Sequence, residues 1–150
     1  MIGAPRTRGL GAEIAAAVDA MRAAAPLVHG ATGSVTRALV ADGLLAAGAR
    51  PMLTESEQEA PTLVTVADAL LVNLGSLSGD GMAGLLPTAR AAVEHGVPWV
   101  LDPTAVGLAP VRTPLAHELL ALGPTVLRGN ASEVITLAGG TGRGRGAERA

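Results

Sequence analysis

The 150 residues of this chain contain no cysteine, lysine, phenylalanine or tyrosine, and Trp99 is the single tryptophan. Without cysteine there can be no disulfide, thiolate metal site or thiol nucleophile within these residues. Without lysine, all eleven basic residues are arginine, a bias that coding composition accounts for. With aromatics almost missing, the core has to be built from Ala, Val and Leu. A net charge of −2 gives no reason to expect a nucleic-acid or anionic-membrane partner. No apolar run reaches bilayer-spanning length. The opening stretch MIGAPRTRGLGAEIAAAVDAMRAAAP is interrupted by Arg6, Arg8, Glu13, Asp19 and Arg22, so it does not read as a signal peptide. A cytoplasmic protein is the expectation.

What is present is a regular alternation. About half of the residues are hydrophobic, enough for one domain with a sizeable core. Leu10, Ile14, Val18 and Met21 recur at helical spacing and predict a first helix. PLVHG (26–30) reads as a strand. A helix over 34–47 follows, with Leu39, Val40, Leu44 and Leu45 expected inward and Gly48 as its stop. RPML (50–53) is a second strand, and Pro61 fits the first turn of the next helix. ALLVN (69–73) is a third strand, followed by a helix over 82–94 closed by His95 and Gly96. VPWVLD (97–102) is a fourth. Thr113 and Pro114 are expected to open a helix as N-cap and first residue, TVLR (125–128) is a fifth strand, and 131–138 the last helix. Apolar strands separated by amphipathic helices predict an α/β fold, a parallel sheet with helices on both faces. The Gly/Arg-rich stretch 139–150 is expected to be a flexible tail.

Polar and small residues follow each strand: HGATGS, TES, NLGS, DPTAVG and RGN. In open α/β sheets ligands bind beyond the carboxyl ends of the strands, so these five loops predict a site on one rim. Asp102, where a strand breaks at Pro103, suits a Mg²⁺ ligand or a substrate-orienting carboxylate. It equally suits a loop aspartate that caps its own turn. Arg128 offers a planar, permanently charged fork for phosphate oxygens. Asn130 and Glu133 have the spacing of a capping box, which is the reading that spacing favours, with a metal-facing carboxylate as the functional one. The three histidines have no metal-ligand spacing. His95 reads as a helix C-terminal residue and His117 as a surface residue. His29 lies in the expected site, with structural and functional readings both open.

In order along the chain, PLVH, DGLLAAGARPML, ALLVNLGSLS, HGVPWVLDPTAVG, RTPLAHELL and LRGNASEV resemble the hydroxyethylthiazole kinase family over about residues 26–140. The resemblance implies a ribokinase-like fold and a homotrimer with thiazole sites at subunit interfaces. It implies Mg²⁺-dependent transfer of the γ-phosphoryl of ATP to the alcohol of 4-methyl-5-(2-hydroxyethyl)thiazole, in thiamine biosynthesis. Carried over by position, Arg128 is the ATP-binding arginine, and Glu133 and Asp102 organise the metal. Leu53 occupies the place of the family's thiazole-contacting methionine. Thr32-Gly33 stands where the family has Thr-Asn, and DPTAVG where it has DPVGAG, so Ala105 takes a glycine's place. Family members are longer, and their second half supplies a glycine-rich anion hole and the proposed base. Residues 1–138 are therefore expected to be the N-terminal part of the kinase domain, with no catalytic residue assigned within them. Two alternatives stand beside this: a ribokinase-like kinase of another small alcohol, and a truncated non-catalytic fragment that binds ligand or partner subunits.

Overall fold

The computed structural model describes residues 7–140. In chain order the elements are α1 (Thr7–Ala24), β1 (Leu27–Ala31), α2 (Ser34–Ala47), β2 (Arg50–Met52) and α3 (Ala60–Leu63), which continues into a 3₁₀ turn, Val64–Val66. Then come β3 (Ala69–Asn73), α4 (Gly79–Glu94), β4 (Trp99–Asp102), α5 (Arg112–Ala121), β5 (Val126–Leu127) and α6 (Ala131–Leu137). The five strands form one sheet in the order β2-β1-β3-β4-β5. Every neighbouring pair is parallel. All five carboxyl ends therefore lie on one rim, as the α/β reading required.

Handedness distributes the helices. The β1-to-β2 connection runs one way along the sheet, while the later connections run the other way. Right-handed crossovers consequently put α2 on one face and α3, α4 and α5 on the opposite face. Register makes the second of these faces the core. His29 pairs with Leu70 and Leu70 with Trp99, while Ala31 pairs with Val72 and Val72 with Leu101. Paired residues of parallel strands point to the same side, and all six are buried. Leu85, Ala89, Ala92, Ala116 and Leu119 of the covering helices join the same cluster. Truncating Leu101 to Ala would cost about 2–5 kcal/mol, because so tightly enclosed a site collapses poorly. The other face is only partly covered: Leu71 and Val100 are half-buried and Val126 is exposed.

Several local expectations need correction. Leu39 and Leu45 of α2 point to solvent, at 74% and 59% exposure, whereas Val40 and Leu44 are half-buried. A single helix lying over the two strands at one end of the sheet cannot cover so wide an apolar arc. Leu10 and Ile14 of α1 are also exposed. Thr113 is not a cap, since α5 begins at Arg112 behind Val111. Its hydroxyl donates to the Ala109 carbonyl (2.7 Å) and accepts from the Gly107 N–H (2.9 Å), tying the preceding loop to the helix. Helix α4 starts at Gly79 rather than Met82, because the Ser78 hydroxyl accepts the Gly81 N–H at 2.9 Å and nucleates an earlier turn.

Other signals act as their chemistry suggests. Gly48 ends α2 at φ 99°, and its N–H and that of Ala49 close the carbonyls of Leu45 and Leu44. Pro61 sits in the first turn of α3. His95 terminates α4, with its Nδ1 2.9 Å from the Ala91 carbonyl. Gly139 and Gly140 close α6 through hydrogen bonds to Thr136 and Ile135. The remainder of the expected tail, 141–150, lies outside the described residues.

Candidate functional site on the carboxyl rim

Two polar groups of residues stand on the rim, one at each end of the sheet. At the β4–β5 end, Asp102 is the last residue of β4 and only 6% exposed. Its Oδ2 accepts from Arg128 Nη1 at 2.6 Å and its Oδ1 from the Thr104 hydroxyl at 3.0 Å. Arg128 reaches it because its own N–H bonds the Leu101 carbonyl (2.9 Å), extending the β4–β5 pairing by one residue. The arginine side chain is nonetheless 75% exposed. One arm is fixed, and the rest of the guanidinium is presented to solvent.

Glu133 is buried beside this pair. The capping box is complete: Asn130 Oδ1 accepts the Glu133 N–H and Glu133 Oε2 accepts the Asn130 N–H, both at 2.9 Å. The other carboxylate oxygen accepts the Ala105 N–H at 3.2 Å. Glu133 thus joins the loop after β4 to the start of α6. Gly129 makes room for it, since a Cβ there would lie 3.2 Å from Glu133 Oε2. Ala105 itself is left-handed, at φ 65°. A glycine would adopt that conformation freely.

At the other end, residues 53–55 follow β2. Leu53, half-buried, lies over Gly30, whose missing Cβ would stand 2.5 Å from Leu53 Cδ2. The Thr54 carbonyl accepts from His29 Nε2 at 2.9 Å. Glu55 lies between α2 and α4: Ser78 donates to its Oε1 at 3.1 Å, and Arg37 Nη2 is 3.1 Å from its Oε2. That second contact is charge against charge, without hydrogen-bond alignment. The close approach of this segment to α4 depends on Gly84, where a Cβ would run into the Glu55 carbonyl oxygen. Glu55, Arg37 and Ser78 were not singled out from sequence. The available signal was TES, the polar tip directly after the second strand.

His29 is fully buried, and burial lowers its pKa below the usual 6.5 while the Thr54 hydrogen bond opposes that shift. The ring is therefore neutral, donating from Nε2. Between the two ends, the loops after β1 and β3 touch. A Cβ on Gly33 would run into the carbonyl oxygens of Gly75 and Ser76, so this position has no room for a side chain unless the β3–α4 loop moves.

The structure thus brings Arg128, Asp102 and Glu133 together and leaves Leu53 apart from them. Leu53 follows β2, three strand positions from β4, which at ~4.8 Å per strand is about 14 Å. Among the described residues no three His, Asp or Glu side chains converge into a metal cage. A magnesium site needs none: Mg²⁺ is held by one or two carboxylates, with water and substrate phosphates completing the octahedron. Asp102 and Glu133 fit that donor set, since each engaged oxygen keeps a second lone pair. No described helix is long and apolar enough to cross a membrane.

The hydroxyethylthiazole kinase family model matches residues 18–150. The chain is 48% identical over 132 residues to the hydroxyethylthiazole kinase of Klebsiella pneumoniae, covering 85% of this chain and 50% of that protein. It is 47% identical over 133 residues to the one from Cereibacter sphaeroides, covering 89% and 51%. A solved structure of the hydroxyethylthiazole kinase protein from Pyrococcus horikoshii OT3 superposes with a TM-score of 0.78 at 36% identity, covering 82% of this chain and 48% of that one. The chain spans about half the length of the curated relatives it matches.

Proposed function

The chain belongs to the hydroxyethylthiazole kinase family, and from that premise we propose that it serves Mg²⁺-dependent transfer of the γ-phosphoryl of ATP to the alcohol of 4-methyl-5-(2-hydroxyethyl)thiazole. The observation that carries this reading is the Asp102–Arg128 pair: a guanidinium anchored at one nitrogen and otherwise open on the rim of a parallel sheet. Phosphoryl transfer is mainly positioning and charge stabilisation. Arg128, held by Asp102, binds phosphate oxygens with its remaining N–H groups. Asp102 and Glu133 would hold Mg²⁺, which when bound neutralises phosphate charge. Glu133 would do so without leaving its cap, because its oxygens keep free lone pairs. Leu53 supplies an apolar contact for the thiazole at the other end of the rim. No described residue is assigned the alcohol proton.

The cytoplasm and a homotrimer belong to the same proposal. Exposed Leu10, Ile14, Val35 and Leu39 on α1 and α2 are apolar surface of the kind that assembly covers. The reading is tested by titrating Mg·ATP and the thiazole alcohol into the chain, alongside a coupled assay of ATP consumption. Saturable binding of both ligands, with nucleotide binding weakened in Arg128→Ala, supports it. No binding of either ligand and no thiazole-dependent turnover would reject it.

A further inference from the structure

Consecutive residues of a strand point to opposite faces, and β1 uses this to grip the segment after β2 from both sides. On the less-covered face, Gly30 leaves the space that Leu53 Cδ2 fills. On the core face, His29 shares a row with Leu70 and Trp99, yet its Nε2 donates to the Thr54 carbonyl. The β1–β2 pairing ends at His29 and Met52, so Thr54 lies beyond the ladder and a side chain takes over where the backbone pairing stops. Glu55 is then fixed between Arg37 and Ser78. Three successive residues are thereby held by β1, α2 and α4.

We propose that His29 is a positioning residue for acceptor binding: with Gly30 it locks residues 53–55 in place, so that Leu53 meets the acceptor alcohol in a preformed orientation. This rests on the reading of Leu53 as the acceptor contact. The neutral ring suits the task. Nδ1 is buried without a partner among the described residues, so a second proton there would have no acceptor. Holding the segment in advance removes the ordering penalty that a mobile contact would impose on binding. Gly30 sets how deeply Leu53 sits, and with it the room left above for the acceptor.

The test compares His29→Leu, His29→Gln and Gly30→Ala with the unsubstituted chain, reading amide hydrogen exchange and affinity for the thiazole alcohol. His29→Leu keeps apolar bulk and loses the donor. Exchange at Glu57, Glu59 and Ala60, whose N–H groups bond Asp80 and Ser56 just after the clamped segment, should rise about tenfold, with Leu70–Val72 of β3 unchanged. Affinity should fall by a similar factor. His29→Gln, which restores an N–H at comparable reach, should recover both. Gly30→Ala meets only the far end of a flexible side chain, so it should leave exchange at Glu57, Glu59 and Ala60 intact and still weaken the alcohol. Equal acceleration in β3 and at Glu57, Glu59 and Ala60 would reduce His29 to a core residue and overturn the proposal, as would unchanged exchange at those three amides. If the unsubstituted chain fails to bind the alcohol, the acceptor role of Leu53 falls, while the exchange data still decide the clamp.

Discussion

Arg128 Nη1 donates to Asp102 Oδ2 at 2.6 Å, joining the residue after β5 to the last residue of β4. The two members are unequal: the arginine side chain is 75% exposed and the aspartate 8%. The pair therefore organises a carboxylate that is mostly out of water by means of a cation that remains largely in it.

Replacing Arg128 by Ala should separate binding from stability. The change leaves the buried Asp102 carboxylate with the Thr104 hydroxyl as its remaining partner, so unfolding should shift by about 1–3 kcal/mol. Mg·ATP affinity should fall about tenfold or more with the loss of a charge-assisted contact. Calorimetric titration with thermal unfolding of the same samples measures both. Unchanged nucleotide affinity would remove Arg128 from the phosphate site.

Glu133 offers a way to weigh its cap against its proposed metal role. Glu133→Ala leaves the half-buried N–H groups of Asn130 and Ala105 without their acceptor and should cost about 1–2 kcal/mol. Glu133→Gln keeps one carbonyl oxygen and should cost less. It should still raise the Mg²⁺ concentration needed for half-maximal nucleotide binding. A glutamine variant with the Mg²⁺ dependence of the unsubstituted chain would leave Glu133 as a cap alone.

Ala105 is held at φ 65° where a Cβ is unwelcome. Ala105→Gly should stabilise the chain by about 0.5–1 kcal/mol, raising the unfolding midpoint by roughly 1–4 °C. The gain requires that the Ala105–Glu133 hydrogen bond persist. A lower midpoint would mean that the loop is held by something other than this turn.

Stability should also carry the signature of His29. Its pKa in the fold is lowered from 6.5 by burial, so the unfolded chain binds more protons between the two values. The contribution of the neutral ring is complete above about pH 6.5. It declines as pH falls through 6.5 and levels off below the folded-state pKa. Denaturant midpoints measured from pH 8 to 4 should diverge between the unsubstituted chain and His29→Gln only below that point. His95 and His117 lie at the surface and are common to both proteins, so the difference isolates His29. Parallel curves would show that the ring's charge state is immaterial to folding.

Some of this was legible in the sequence alone. β3 coincides with ALLVN because a continuous apolar run flanked by polar residues has only one reading. The α2 stop at Gly48 and the α6 capping box were local chemistry, complete within a few residues of chain. Thr113 shows the limit of that approach: Thr-Pro is a good opening pair, but its hydroxyl was claimed by Gly107 and Ala109. Leu39 and Leu45 show another, since spacing marks an apolar arc without saying how much of it a neighbour covers.

The sequence by itself determined the strand–helix alternation, the polar tip of each strand and the Asn130–Glu133 box, because each depends on hydrophobic period or on groups close together in the chain. Only the tertiary structure decided that Asp102 would hold Arg128, that Glu133 would reach Ala105, and that His29 would grip Thr54. These contacts join loops 25–28 residues apart. The order in which strands are laid side by side, set by crossover handedness and by burial of a single face, brings such distant residues together, and no local pattern encodes it.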